Sequence, residues 1–181
     1  MGWFGKKKRA DDGGPRTAFV HSKNMHLKVA APQGDGWKIM EARGGGRLLA
    51  ALKCLHGAPP KALALDAMLY GVDPEDLPSL SQLRERDWRR HFLDKMFSEI
   101  EDLTQREVEH RARGGGFVDT GIEVEVAGTL REPAMPLVVV ERHVPLTKHL
   151  LLVSAAGAPA ERAGQAALID VWLNHATLGE R

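Results

Sequence analysis

Between Gly121 and Leu130 apolar and polar positions alternate: Ile122, Val124 and Val126 fall on one side, Glu123 and Glu125 on the other. A period of two marks a half-buried strand, and one wet face suits an antiparallel sheet. REVEHRARG just before it has the same alternation, and PLVVVERHV and HLLLVSA follow as two more strands divided by Pro145. Upstream, AFVHSKNMHLKVAAP reads as a bent strand or as a hairpin of two short ones, ended by Pro32. WKIMEA follows the turn signal Gly34-Asp35-Gly36. The next two segments are ambiguous. RLLAALKCLH has no β-branched residue and high helix propensity, although ten residues also suit a buried strand. ALALDAMLYG, set apart by Gly57 and Pro59-Pro60, is equally open, with Tyr70 favouring strand.

Two segments carry a helical period. From Ser79 to Leu103 the apolar residues Leu80, Leu83, Trp88, Phe92, Met96, Ile100 and Leu103 recur at spacings of three to five, which predicts one long helix with an apolar stripe. Pro78 precedes it, and Ser79 and Gln82 have capping-box spacing. A last helix is expected from Pro159 to Leu178, with Ala166, Ile169, Trp172, Leu173 and Ala176 inward and Gly179 at its C-terminal cap.

The order is thus several strands, a long helix, four strands and a final helix. With the Trp37 segment and the terminal LLLVSAAGAPAERAGQAALIDVWL, it resembles the PsbP-like fold. That fold is shared by the Ran-binding nuclear import factor Mog, the photosystem II subunit PsbP, bacterial DcrB-type proteins and the Eag chaperones of type VI secretion. The resemblance spans Thr17 to Leu178 and implies an α/β architecture: an antiparallel sheet sandwiched between a long central helix and a C-terminal helix. It also implies that RLLAALKCLH is a strand. Members of the fold are mostly binding and assembly proteins.

Size and charge refine this picture. The chain has 181 residues, 43% hydrophobic and 27% charged, which is enough for one domain with its own core. Residues 1–16, rich in Gly and Lys, are expected to be a flexible basic tail before a single domain over 17–181. The net charge is +1 with both signs interspersed, so the basic stripe of a nucleic-acid binder is missing. The one cysteine, Cys54, excludes an intrachain disulfide and fits a reducing, cytoplasmic setting. No run of about 18 apolar residues exists, and the start MGWFGKKKR lacks a secretory apolar stretch.

The chemistry is sparse. The turn Ser154-Ala155-Ala156-Gly157-Ala158-Pro159 between a strand and a helix outlines a phosphate cradle, but Gln165-Ala166 follow Gly164 where a P-loop has Lys and Ser or Thr. Cys54 and His56 share a strand face without the surroundings of a cysteine enzyme. The eight histidines include His21 with His26 and His143 with His149, yet form no zinc-binding motif. Arg43 to Gly46 and Arg113 to Gly116 repeat RGGG and read as loops between strands. Arg84, Arg86, Arg89 and Arg90 crowd the start of the long helix, the unfavourable end for cations. A solvated face with pairs such as Arg90 to Asp94 accounts for them, and a basic patch for an acidic partner is the functional alternative. Trp3 and Phe4 beside Lys6-Lys7-Lys8-Arg9 resemble a small interfacial anchor. Four basic residues contribute about 1 kcal/mol each at an anionic surface, only about millimolar binding.

The expectation is a non-enzymatic adaptor, chaperone or accessory subunit of a larger bacterial assembly. It takes no cofactor and no metal. It binds a protein rather than nucleic acid, with at most weak membrane contact. The candidate partner-binding residues are Arg84, Arg86, Arg89, Arg90, Trp3 and Phe4. The alternatives are an enzyme with an unrecognised polar cleft and a peripheral membrane protein held by its tail.

Overall fold

The computed structural model describes residues 15–24, 26–42, 45–84, 100–111, 120–130 and 134–179. The described residues form two antiparallel sheets. The smaller has the order β1-β2-β10, from β1 (Thr17–His21), β2 (Leu27–Pro32) and β10 (Thr177–Leu178). The larger is seven-stranded, in the order β3-β4-β5-β9-β8-β7-β6. Its strands are β3 (Trp37–Ala42), β4 (Leu48–His56), β5 (Leu63–Gly71), β6 (Ile100–Arg111), β7 (Thr120–Leu130), β8 (Met135–Leu146) and β9 (His149–Gly157).

The helices among the described residues are all short: α1 (Leu80–Arg84), α2 (Pro159–Gly164) and α3 (Ala166–Asn174). This corrects the expected architecture of a sheet between a long central helix and a C-terminal helix. Among the described residues the protein is mostly β, with two antiparallel sheets and no long central helix. The helix expected over Ser79–Leu103 starts as foreseen. Gln82 accepts the backbone N–H of Ser79 at 2.9 Å, and the Ser79 hydroxyl accepts the backbone N–H of Gln82 at 3.2 Å. It does not extend to Leu103, because Ile100 already pairs with Leu130 at the start of β6. There the long-range ladder with β7 overrides the local helical spacing. Residues 85–99, with most of the expected stripe, lie outside the described residues.

The expected last helix is also shorter and broken. Gln165, at φ −118° and ψ 19°, divides α2 from α3, and α3 ends at Asn174. Gly179 does not cap it; its N–H bonds the carbonyl of His26 beside β10.

The ambiguous segments resolve as strands. β4 and β5 pair in antiparallel fashion, and β5 pairs with β9 from Leu63 opposite Gly157 to Gly71 opposite His149. Their Leu and Ala residues lack β propensity, but here each strand lies between two others. Ladder bonds and burial set the outcome. AFVHSKNMHLKVAAP is the hairpin of β1 and β2.

The main core lies between one face of the large sheet and a cover made of β2 and α3. Leu52, Cys54, Leu65, Ala67, Leu151 and Val153 meet Leu27, Val29, Ile169, Trp172 and Leu173 there. Trp172 is fully buried, as its place on the helix predicts. Ala166, expected inward, is exposed. A second cluster on the opposite face joins Ile122, Val124, Val126 and Leu150 to Leu83 of α1.

Candidate functional site

β8 reads Val138-Val139-Val140-Glu141-Arg142-His143-Val144, three charged or polar residues inside a run of valines. Alternation sends Arg142 to one face and Glu141 with His143 to the other. Glu141, Arg142 and His143 are all buried, so neither face leaves them freely hydrated and each polar group calls for a partner.

Arg142 faces α3. Its Nε donates to Glu123 Oε2 of β7 at 2.6 Å, and its Nη1 donates to Asn174 Oδ1 at the end of α3 at 2.8 Å. Asn174 Nδ2 in turn donates to the carbonyl and the carboxylate of Asp170, at 2.8 and 2.9 Å. The alternation of β7 carries Glu125 to the same side, where Arg162 of α2 stands 3.8 Å from it. Burial pulls the Arg162 guanidinium below its usual pKa, while Glu125 and Glu123 act the other way. Between these side chains opens a cleft of about 450 Å³, with Val138, Val140, Ile169 and Leu173 along its bed and Ala163, Ala166 and Asp170 at its helical lip. The Glu pattern of β7, read from the sequence as a wet face, therefore lines this cleft.

On the other face Glu141 Oε2 and His143 Nε2 are 3.1 Å apart and both side chains are fully buried. A polar row crosses the sheet here. Lys53 is opposite Asp66, Asp66 is opposite Ser154, and Ser154 is opposite Glu141. Lys53 Nζ lies 3.4 Å from Asp66. Burial nevertheless raises the Asp66 pKa, with Lys53 opposing the shift. Tyr70 is raised too, by burial first and then by the charges of Glu141 and Asp66. Gly121 lets this part of the sheet close, since a Cβ there would stand 2.6 Å from the carbonyl oxygen of His143.

The sequence-derived candidates fare unevenly. Arg84 lies in α1. Arg86, Arg89, Arg90, Trp3 and Phe4 lie outside the described residues, as do the Arg90–Asp94 pair and the second RGGG. Cys54 and His56 do share a strand face, but Cys54 is fully buried and burial pushes its thiol up to about 12, with Asp66 adding to the shift. Its thiolate is therefore scarce near neutral pH. The His56 ring instead lies on Trp37, centroids 5.0 Å apart, and Gly36, at φ +86°, leaves room for it. His143 is bound to Glu141 rather than set beside His149. Among the described residues no three His, Cys, Asp or Glu side chains stand close enough to hold a metal ion. The small-residue turn forms no phosphate cradle. Ala155 to Gly157 belong to β9, and a Cβ on Gly157 would meet the Ala62 carbonyl at 3.0 Å and Leu63 at 3.1 Å. The small side chains serve close approach of β5.

What sequence reading missed is the role of Glu141, Arg142, Asn174 and Arg162. The signal was present in β8: charged and polar residues within a valine-rich strand call for partners on both faces.

No family model matches the chain, and no curated protein matches it in sequence. Among solved structures it is similar to cyanobacterial PsbP (CyanoP) from Synechocystis, at 9% identity and a TM-score of 0.59 over 94% of this chain and 97% of that one. It is also similar to LpqN, involved in cell envelope biogenesis of Mycobacterium tuberculosis, at 14% identity and a TM-score of 0.49 over 93% and 94% of the two chains. A Pseudomonas aeruginosa protein of unknown function follows at 9% identity and a TM-score of 0.42, over 85% and 91%. The architecture and the match to CyanoP establish that this chain has the PsbP-like fold.

Proposed function

We propose that the protein acts without chemistry of its own, as a protein-binding accessory subunit, adaptor or chaperone of a larger bacterial assembly. The cleft between β7, β8, α2 and α3 is its partner site. The observation that carries this reading is the make-up of that cleft. Its bed is apolar, Arg142 is bonded to Glu123, Arg162 stands 3.8 Å from Glu125 with its Nε unpartnered among the described residues, and its lip is lined by small exposed alanines. An apolar centre with a polar rim is the anatomy of a protein interface. Small-molecule sites are more enclosed. The fold supports the reading by analogy alone, since its members are mostly binding and assembly proteins. A cytoplasmic setting, suggested by the lone thiol, belongs to the same proposal.

The test is affinity capture of the full chain from its own cells, beside an Ala166→Arg variant. A single stoichiometric protein should be recovered with the wild type and lost with the variant, at unchanged melting temperature. A wild type that brings no protein but carries a metabolite in native mass spectra would reverse the reading in favour of an enzyme.

A further inference from the structure

β3 ends the seven-stranded sheet, and among the described residues no strand pairs with its outer side. Its open backbone groups can be identified. Gly45 and Leu48 exchange both backbone hydrogen bonds, each at 3.1 Å. The register of β3 on β4 continues from that pair without a shift, through Ala42 opposite Ala51 to Trp37 opposite His56. Bonded and non-bonded pairs alternate along an antiparallel ladder. Trp37, Ile39 and Glu41 therefore spend their N–H and C=O groups on β4, while Lys38 and Met40 point theirs outward. Flanking this open ladder, Ile39 and Met40 are each 42% exposed, on opposite faces of the sheet. Natural edges are usually blunted by charges, bulges or cover. Here Lys38 is the single cation of the strand, and Glu41 is already occupied by the backbone N–H of Lys23 at 2.8 Å.

We propose that β3 is the seat of a two-fold association with a second copy of this chain, joining two large sheets edge to edge. The occupant follows from the strand's own pattern. A dyad normal to the sheet keeps each side chain on its face, so opposed residues must share parity, and the outward residues must be the bonded ones. Centring the dyad on Ile39 meets both conditions. Lys38 and Met40 then exchange backbone bonds with Met40 and Lys38 of the second copy, and Ile39 meets Ile39 of the second copy in the closer, non-bonded position. No like charges are opposed, and the stem of each Lys38 lies along a methionine. Centring on Met40 instead would set Ile39 against Glu41, so the first register is the self-complementary one. A six-residue edge buries less than the roughly 1,200 Å² of a stable interface. The association is accordingly weak, with Kd on the order of 100 µM. It uses a margin separate from the cleft and stands independently of the partner proposed there.

Sedimentation of the full chain up to about 1 mM should show the mass rising toward that of a dimer, with amide exchange slowed at Lys38 and Met40. Two variants probe the register. Met40→Pro removes an outward N–H that makes no bond to β4, a position where an edge strand accepts proline. Ile39→Lys places like charges at the dyad. Each should weaken association at least about tenfold while leaving the monomer folded. A wild type that stays monomeric throughout overturns the proposal. So does a dimer indifferent to both variants, or one whose protected amides lie outside Trp37–Ala42.

Discussion

Replacing Arg142 by Ala should cost far more than loss of a surface charge. Its side chain is only 10% exposed and that of Glu123 25%, with 2.6 Å between them. Exposed pairs contribute about 0–1 kcal/mol, whereas removing one member of a buried pair costs roughly 3–5 kcal/mol because the other is stranded. Glu123 retains some access to water, and Arg142→Ala also frees Asn174, so about 3 kcal/mol is expected. Glu123→Ala leaves Arg142 one bond, to Asn174, in a drier place, and a similar loss should follow. The doubly substituted protein strands neither charge. Its loss should fall short of the sum of the two by about 0.5–3 kcal/mol, the range for residues in one bonded network. For a chain of this length each kcal/mol corresponds to roughly 2–4 °C, so either single variant should melt about 6–12 °C lower. The assay is urea denaturation of all four proteins, with thermal melts as a check. Single variants within about 0.5 kcal/mol of wild type, or additive losses, would refute the claim that this pair is a desolvated unit tying β7 and β8 to α3.

Trp172→Ala should lose roughly 3–5 kcal/mol by opening a cavity between α3 and the sheets, and an unchanged denaturation midpoint would contradict the packing of that helix. Cys54 should resist a thiol reagent in the native protein at pH 8 and react on unfolding; native labelling as fast as that of a free thiol would remove its buried, high-pKa state. Because burial raises Asp66, the stability its protonated carboxyl contributes is fully present below its ordinary value of 3.8 and is lost as pH rises through the folded value. Asp66→Asn should therefore gain on the wild type as pH rises through that window, despite losing Lys53. A wild type that gains on the variant over the same pH range would show the sign to be wrong.

The strands of the second half were legible because β7 and β9 alternate or run apolar between clear turn residues, and those signals survive in isolation. The end of the Ser79 helix was not legible. Ile100 and Leu103 continue a helical spacing, and only the partner strand, ending at Leu130, makes them part of a ladder. β4 was read correctly only through the fold resemblance, since Leu, Ala and Lys favour a helix locally and become strand residues when buried between two neighbours. The break at Gln165 left no mark, because neither Gly164 nor Gln165 forces a helix to stop. Of the cleft, Glu123 and Glu125 were visible as a polar face. Arg142, Asn174 and Arg162 were not, because their partners lie on other elements and pairing is a property of the assembled layers.

The central claim is that a protein partner occupies the cleft under α2 and α3. The most direct measurement is photo-crosslinking in the protein's own cells, with the reactive side chain placed at Ala163 on the cleft lip and, as a control, at Glu75 on the exposed turn after β5. A discrete adduct to one other protein from Ala163, absent from Glu75 and lost when Ala166→Arg is added, is the predicted result. Equal, diffuse labelling from both positions, or none from Ala163, would contradict it.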